Sequence, residues 1–189
     1  MTRMYDDAGN VIPLTLIEAG PCEVAHVTSE EKEGYKAVQL AFGTRMIKRG
    51  SEGKKEESPR VLREVRLSED DALEAGQNLS VEQFEVGDTV KVTSTVKGRG
   101  YTGVVKRWGF AGAPKTHGHK HDLRSGGSIG AGFPQHVMKG MKMAGRSGGN
   151  QKTIRGLEVV VVDPKENLLG VKGSIPGAPG TVVMIQEMA

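Results

Sequence analysis

The sequence holds one cysteine, Cys22, in 189 residues, so no disulfide framework can form within the chain and a reducing compartment is the expected setting. Aromatic side chains are scarce too, with one Trp, three Tyr and four Phe, so a core has to be built on Val, Ile and Leu. No apolar run approaches the roughly 20 residues of a membrane-spanning helix. The opening MTRMYDDAGN also lacks the charged-then-apolar layout of a leader. A cytoplasmic protein with no membrane partner is therefore expected. Acid is missing from one stretch in particular. Residues 97–155 contain a single carboxylate, Asp122, beside 12 Lys and Arg, a net charge of +11, and they hold 14 of the 27 glycines.

The remainder of the chain keeps 14 basic and 22 acidic residues, a net charge of −8, so the overall +3 conceals two opposite parts. A segment so rich in Gly, Lys and Arg has few apolar side chains to offset the roughly 1–2 kcal/mol per residue of backbone entropy lost on ordering. Alone it should be floppy. A polyanion would supply the missing stabilisation, because phosphates neutralise the self-repulsion and glycines let backbone approach a nucleic acid closely. Residues 97–155 thus read as an RNA-reaching arm. A solvated basic linker is the competing reading, but the interleaved Trp108, Phe110, Phe133 and three Met residues weigh against it.

On either side of the arm the pattern is that of short strands. VIPLTLI (residues 11–17) is apolar and partly β-branched and stops at the turn signal Glu18-Ala-Gly-Pro21; the Asp-Ala-Gly-Asn turn before it predicts an entering hairpin. Strands are expected at 23–27 and 36–42, separated by the acidic SEEKEGY. Residues 45–59 are charged, mixed in sign and poor in apolar residues, which predicts a loop. VLREVRLSE fits a strand or a short helix, and DDALEAGQ a helical turn ending near Gly76. A Gly-Asp turn followed by alternating Val90 and Val92 predicts a strand that runs straight into the arm. The arm returns into LEVVVV (residues 157–162), whose continuous run predicts a strand buried on both faces. Further strands are expected at 168–171 and 182–186, around the loop GSIPGAPG. Roughly seven strands with turns between them imply a mainly β fold, a small closed or nearly closed β-barrel body with a long irregular basic loop inserted between strands. Its parts are 1–96, the first portion of the body with the charged loop; 97–155, the arm; and 156–189, the returning strands.

In fixed order the chain carries KGRGYTGVVKRWGFAGAPKTHG, GGSIGAG, VMKGMKMAGR, LEVVVVD and LLGVKGSIPGAPG, preceded by TRMYDDAGNVIPLTLIEAGPC and GYKAVQLAFG. Together these resemble the bacterial form of the large-subunit ribosomal protein three family, over most of the chain. The resemblance implies a structural constituent of the large ribosomal subunit and not an enzyme. It implies binding to the large-subunit (23S) rRNA near its 3′ end, early in assembly, with contacts to neighbouring ribosomal proteins. The loop would be driven toward the peptidyl-transferase region, its far end around residues 128–136, which brings Ser128, Gln135 and His136 to RNA. Three departures stand out. Family members usually begin with a Gly/Lys-rich strand ending Gly-Met-Thr, whereas this chain starts Met1-Thr2, leaving one barrel strand unaccounted for. The family's Gly-His-Phe loop is replaced by RMIKRGSEGKKEESPR. At the tip, where some bacteria methylate a Gln, this chain has Gly132, and Gln135 follows the Pro instead.

The cations Lys97, Arg99, Lys106, Arg107, Lys115, Lys120, Arg124, Lys139, Lys142, Arg146, Lys152 and Arg155 are assigned to phosphate contact as a set. Arg107, beside Trp108, is the best candidate for stacking on a splayed base. Trp108 itself either stacks on a base or plugs the root of the arm; with Val104 on the same face of one or two helical turns, plugging is favoured. His117, His119 and His121 alternate, which on an extended chain puts all three on one side as a zinc site would want, and makes an RNA-modifying or metal-dependent enzyme the alternative function. Nearby Lys115, Lys120 and Arg124 oppose a dication, so phosphate or base contacts are preferred. Met138, Met141 and Met143 are expected to pack in a core. Gly126, Gly127 and Gly130 resemble a phosphate nest, without the G-x-x-x-x-G-K-[ST] pattern of a nucleotide site. No metal, cofactor or small-molecule substrate is expected. Cys22 is read as a small buried strand residue, with a reactive thiol as the lesser alternative.

Overall fold

The computed structural model describes residues 1–49, 54–67 and 73–188. In chain order it contains β1 (Thr2–Tyr5), β2 (Val11–Glu18), β3 (Cys22–Thr28), α1 (Glu30–Glu33), β4 (Ala37–Arg49), β5 (Lys54–Arg66) and β6 (Asn78–Leu79). A single 3-10 turn at Val81–Gln83 precedes β7 (Thr89–Thr95), β8 (Tyr101–Thr102), α2 (Val104–Trp108), β9 (Gly145–Arg146), β10 (Gln151–Asp163), β11 (Leu168–Lys172) and β12 (Val183–Glu187). The mainly β expectation holds. The sheets run β1-β2-β11-β10-β7-β12, β5-β4-β3-β6 and β8-β9, and among the described residues none of them closes into a barrel. The chain divides into two compact units, one formed by Met1–Lys91, Arg155–Ile175 and Gln186–Ala189, the other by Val92–Ile154 and Pro176–Ile185.

In the first unit, the expected entry hairpin is β1 against β2, its turn held by Asp6, whose carboxylate accepts from the Asn10 amide N–H at 2.6 Å and from the Asn10 side-chain N–H at 2.9 Å. These bonds favour the ionised carboxyl and keep its pKa below the usual value. β2 buries Leu14 and Ile17, and the buried Thr15 hydroxyl is satisfied by donating to the Gly173 carbonyl at 2.7 Å. Val24, Val38, Val81, Val90, Val159, Leu169 and Val171 are fully buried. At about 1.5–3 kcal/mol for each such side chain, a core of short aliphatics stabilises the unit without large rings. β7 shows the period of two that its sequence promised, with Val90, Val92 and Ser94 buried and their neighbours not.

Two expectations fail here. Residues 45–59 are no loop: β4 and β5 form one long hairpin whose register runs from Ala37 opposite Arg66 out to Arg49 opposite Lys54. The apolar alternation that marks a strand is imposed by a core, and this ribbon runs beyond the residues that β3 pairs with, which end at Phe42, so charged residues fill it freely. The segment 61–69 accordingly belongs to β5 as far as Arg66. Part of the helical turn expected at 70–77 lies outside the described residues; Gly76, at φ +85°, sits in a turn whose N–H donates to the Val24 carbonyl at 2.8 Å. The second failure is β10, which buries only Val159 completely and leaves residues 160–162 half-buried. A continuous Val run reports pairing of both strand edges, here with β11 and β7, as readily as coverage of both faces.

Cys22 is half-buried in β3, opposite Phe42 and Leu79, and burial raises its thiol pKa. Because the folded value lies above the unfolded one, the associated stability is complete below the unfolded pKa and is lost as pH rises through the folded pKa. At about pH 8.5, iodoacetamide is expected to alkylate the native chain several-fold more slowly than the urea-unfolded chain, measured by mass spectrometry.

Candidate nucleic-acid interface

Backbone pairing that the composition did not reveal joins the two legs at the root of the arm. Past β7 its two legs zip together: Val96 N–H donates to Asn150 O at 2.9 Å, Gly149 N–H to Val96 O at 3.1 Å, Arg99 N–H to Ser147 O at 2.8 Å and Ser147 N–H to Gly100 O at 2.9 Å. The ladder continues into β8 and β9, with Tyr101 opposite Arg146 and Thr102 opposite Gly145. The expected helical turn follows as α2, which buries Val104 and ends at Gly109, φ +75°. Backbone hydrogen bonds across a glycine-rich pair of legs supply the order that apolar content alone does not.

Trp108, expected to plug the root onto the body, is 42% exposed and is tied instead to the opposite leg of the arm. Its indole Nε1–H donates to the Met143 carbonyl at 2.9 Å, and Arg107 Nη1 donates to the same oxygen at 2.8 Å. The Arg107 guanidinium lies 4.8 Å from the Trp108 ring centroid and Lys142 Nζ 5.8 Å from it. Arg107 thus lies over the ring of its own neighbour. Replacing Trp108 by Phe removes one of the two bonds to Met143 and weakens the cation–π contacts. A loss of about 1 kcal/mol is expected, read as faster amide exchange at Gly145, Arg146 and Ser147 than in the parent protein.

Residues 110–144 contain neither helix nor strand. A pinch midway, where Ala113 N–H donates to Leu123 O at 3.2 Å, separates the root from the distal loop. His117, His119 and His121 lie in a run of turns, with His117 at φ +60°, so the extended chain needed to align them is not formed. Among the described residues no three His, Cys, Asp or Glu side chains gather as a metal ion requires. Around Ser128 the backbone curls, its hydroxyl donating to Gly130 O at 2.7 Å. The methionines expected in a core are on the surface: Met138 is 61% exposed, Met141 40% and Met143 39%. The arm offers no second layer of structure to cover them, and Phe133 is 86% exposed for the same reason.

All the candidate contact residues are exposed except Arg107 and His119, which are half-buried. Among the described residues, none of the 12 arm cations has a carboxylate salt-bridge partner. Lys97, Arg99 and Lys152 are brought together around a concave site of about 420 Å³ beside the Ser147 and Gly148 backbone. Lys115, Lys120, Arg124 and Lys139 instead lie along the distal loop with Ser128, Gln135 and His136, and Lys106, Arg146 and Arg155 mark the legs and α2. Sequence reasoning passed over Tyr101, 80% exposed on β8; its position within the basic KGRGYT was the available signal.

A family profile described as ribosomal protein L3 matches residues 55–168, which include the whole arm. The chain belongs to that family. Among its curated relatives, "Large ribosomal subunit protein uL3" of Magnetococcus marinus is 44% identical over 99% of this chain and 91% of the relative. The protein of the same name from Herpetosiphon aurantiacus is 42% identical over 100% and 92%, and that from Syntrophobacter fumaroxidans 39% identical over 99% and 92%. The profile match begins inside β5 and ends at the start of β11, whereas the named relatives align with nearly the whole chain.

Proposed function

We propose that this chain is a structural component of the large ribosomal subunit, and that residues 97–155 are its rRNA-penetrating arm. In this reading it binds the 23S rRNA near the 3′ end and helps nucleate assembly, and the loop around residues 128–136 reaches toward the peptidyl-transferase region. The β-sheet body meets neighbouring ribosomal proteins. The observation that carries the reading is a folded root that presents 12 cations, none neutralised by a carboxylate among the described residues, on a chain whose relatives at 39–44% identity are large-subunit proteins. Such a root limits the ordering entropy that the loop loses when phosphates surround it. The histidine-based enzyme reading draws no support from the turn that holds His117, His119 and His121.

The test is sedimentation and crosslinking. A tagged copy expressed in a bacterial host should travel with large subunits in a sucrose gradient. Photocrosslinkers at positions 128–139 should mark rRNA near the peptidyl-transferase region. Absence from large subunits, or crosslinks confined to protein, would overturn the proposal.

A further inference from the structure

The sulfur of this chain lies in one cysteine and eight methionines. Cys22 is half-buried in β3 and its thiol pKa is raised, so the thiolate that oxidants attack is scarce at neutral pH. Thioethers need no deprotonation to react, and access to solvent decides which of them do. Met4 in β1 and Met184 in β12 are half-buried. Met1, Met46 and Met188 are exposed but far apart in sequence. Met138, Met141 and Met143 differ: they fall within six residues of the arm, 61%, 40% and 39% exposed, in a stretch with neither helix nor strand to cover them. The stretch is tied at both ends. Met141 N–H donates to Met138 O at 3.4 Å, and the Met143 carbonyl takes the bonds from Arg107 and Trp108. Between the three thioethers stand Lys139 and Lys142, cations that the arm offers to phosphate.

From this we infer that Met138, Met141 and Met143 form an oxidation site, a redox-sensitive patch open only while the arm is free of RNA. The oxidant is a hydroperoxide, hydrogen peroxide in the simplest case. A sulfur lone pair attacks one peroxide oxygen, the S–O bond forms and the O–O bond breaks. The other oxygen leaves as hydroxide and takes the proton of the transferred oxygen to become water, so each sulfur loses two electrons and each peroxide gains two. The product sulfoxide is polar and chiral where the thioether was apolar and pliable. Its consequence rests on the proposed rRNA binding: each sulfoxide has to shed its water against an acceptor-rich RNA backbone, a cost that the thioether does not have. No formal charge changes, which separates this effect from neutralisation of the arm cations. Once RNA encloses the arm the thioethers are out of reach. Oxidised copies are therefore sorted from intact ones before assembly, and a thiol-dependent sulfoxide reductase returns them to the intact form.

The full chain is treated with hydrogen peroxide over a time course, digested and followed by mass spectrometry. Met138, Met141 and Met143 should form sulfoxide several-fold faster than Met4 and Met184. A transcript of the 3′ third of 23S rRNA, added first, should slow these three by about fivefold or more and leave Met4 and Met184 unchanged. The treated chain should bind that transcript about tenfold more weakly at about 0.1 M salt, with the parent slope of log K against log salt, and sulfoxide reductase with dithiothreitol should restore it. The variant Met138→Leu/Met141→Leu/Met143→Leu keeps volume and apolarity, so peroxide should leave its affinity at its own untreated value. Should that variant misfold, Met138→Leu/Met141→Leu, which spares the root, should show a smaller loss than the parent. Reaction of the three arm methionines no faster than Met4 and Met184, or a treated chain with its untreated affinity, would overturn the inference while leaving rRNA binding intact. So would a loss of the same size in the leucine variant, because the lesion would then lie at Cys22 or another methionine. Absence of saturable binding by the untreated parent would instead remove the proposed function, and the consequence drawn from it.

Discussion

Gly148→Ala is expected to destabilise the arm-bearing unit by about 2–4 kcal/mol. Gly148 has φ +72°, a left-handed conformation that alanine adopts at a cost of about 1 kcal/mol. The larger part is steric. A Cβ at this position would fall on the Lys97 carbonyl oxygen and 3.1 Å from the Gly98 Cα, and both are backbone atoms. No side-chain rotation relieves such a clash, so the legs have to part where Val96, Arg99 and Ser147 are bonded across them. Urea denaturation followed through the fluorescence of Trp108, the single tryptophan, should show a lowered midpoint. Amide exchange should accelerate at Arg99 and Ser147. Gly140→Ala is the control: its φ is +86°, but nothing lies within 4 Å of the added carbon, so only the conformational cost of about 1 kcal/mol should appear. Equal effects at the two positions would mean that the close approach of the legs is not what holds the root.

Why some elements were legible in the sequence and others were not follows from what imposes each pattern. β7 was readable because one of its faces is buried, which forces the alternation of Val90, Val92 and Ser94. The entry hairpin was readable because Asp6, Gly9 and Asn10 carry turn chemistry locally. The outer ribbon of β4 and β5 carries no such imprint. Its strands are fixed by backbone pairing carried over from residues 37–42, so side chains there are free to be charged and read as a loop. The zipped legs of the arm were hidden for a related reason: their bonds join residues some fifty positions apart in glycine-rich sequence, and neither leg has an apolar period. At the candidate interface, the identity and exposure of the cations were legible from charge alone. The pairing of Arg107 with Trp108 over the Met143 carbonyl was legible only in part, because a neighbouring Arg and Trp promise stacking without saying on what.

Neutralising four distal arm cations, through Lys115→Gln, Lys120→Gln, Arg124→Gln and Lys139→Gln, is expected to weaken binding to 23S rRNA about a thousandfold at about 0.1 M salt. The magnitude follows from counterion release. Each phosphate contact contributes about 0.7–0.9 to the slope of log K against log salt, close to sixfold in affinity per contact at that concentration. Four contacts therefore lower the slope by about 3, and parent and variant should converge as salt approaches about 1 M. Stability should hardly change, since all four side chains are exposed and among the described residues none has a carboxylate partner to leave behind. The charge-preserving set Lys115→Arg, Lys120→Arg and Lys139→Arg should keep the parent slope, which separates a requirement for charge from one for side-chain shape. An affinity loss of the same size at every salt concentration would point to base stacking through groups such as Phe133, and the electrostatic account of the arm would have to be given up. A variant indistinguishable from the parent would leave binding to the root cluster of Lys97, Arg99 and Lys152, making the exposed distal loop an appendage and not the part that grips RNA.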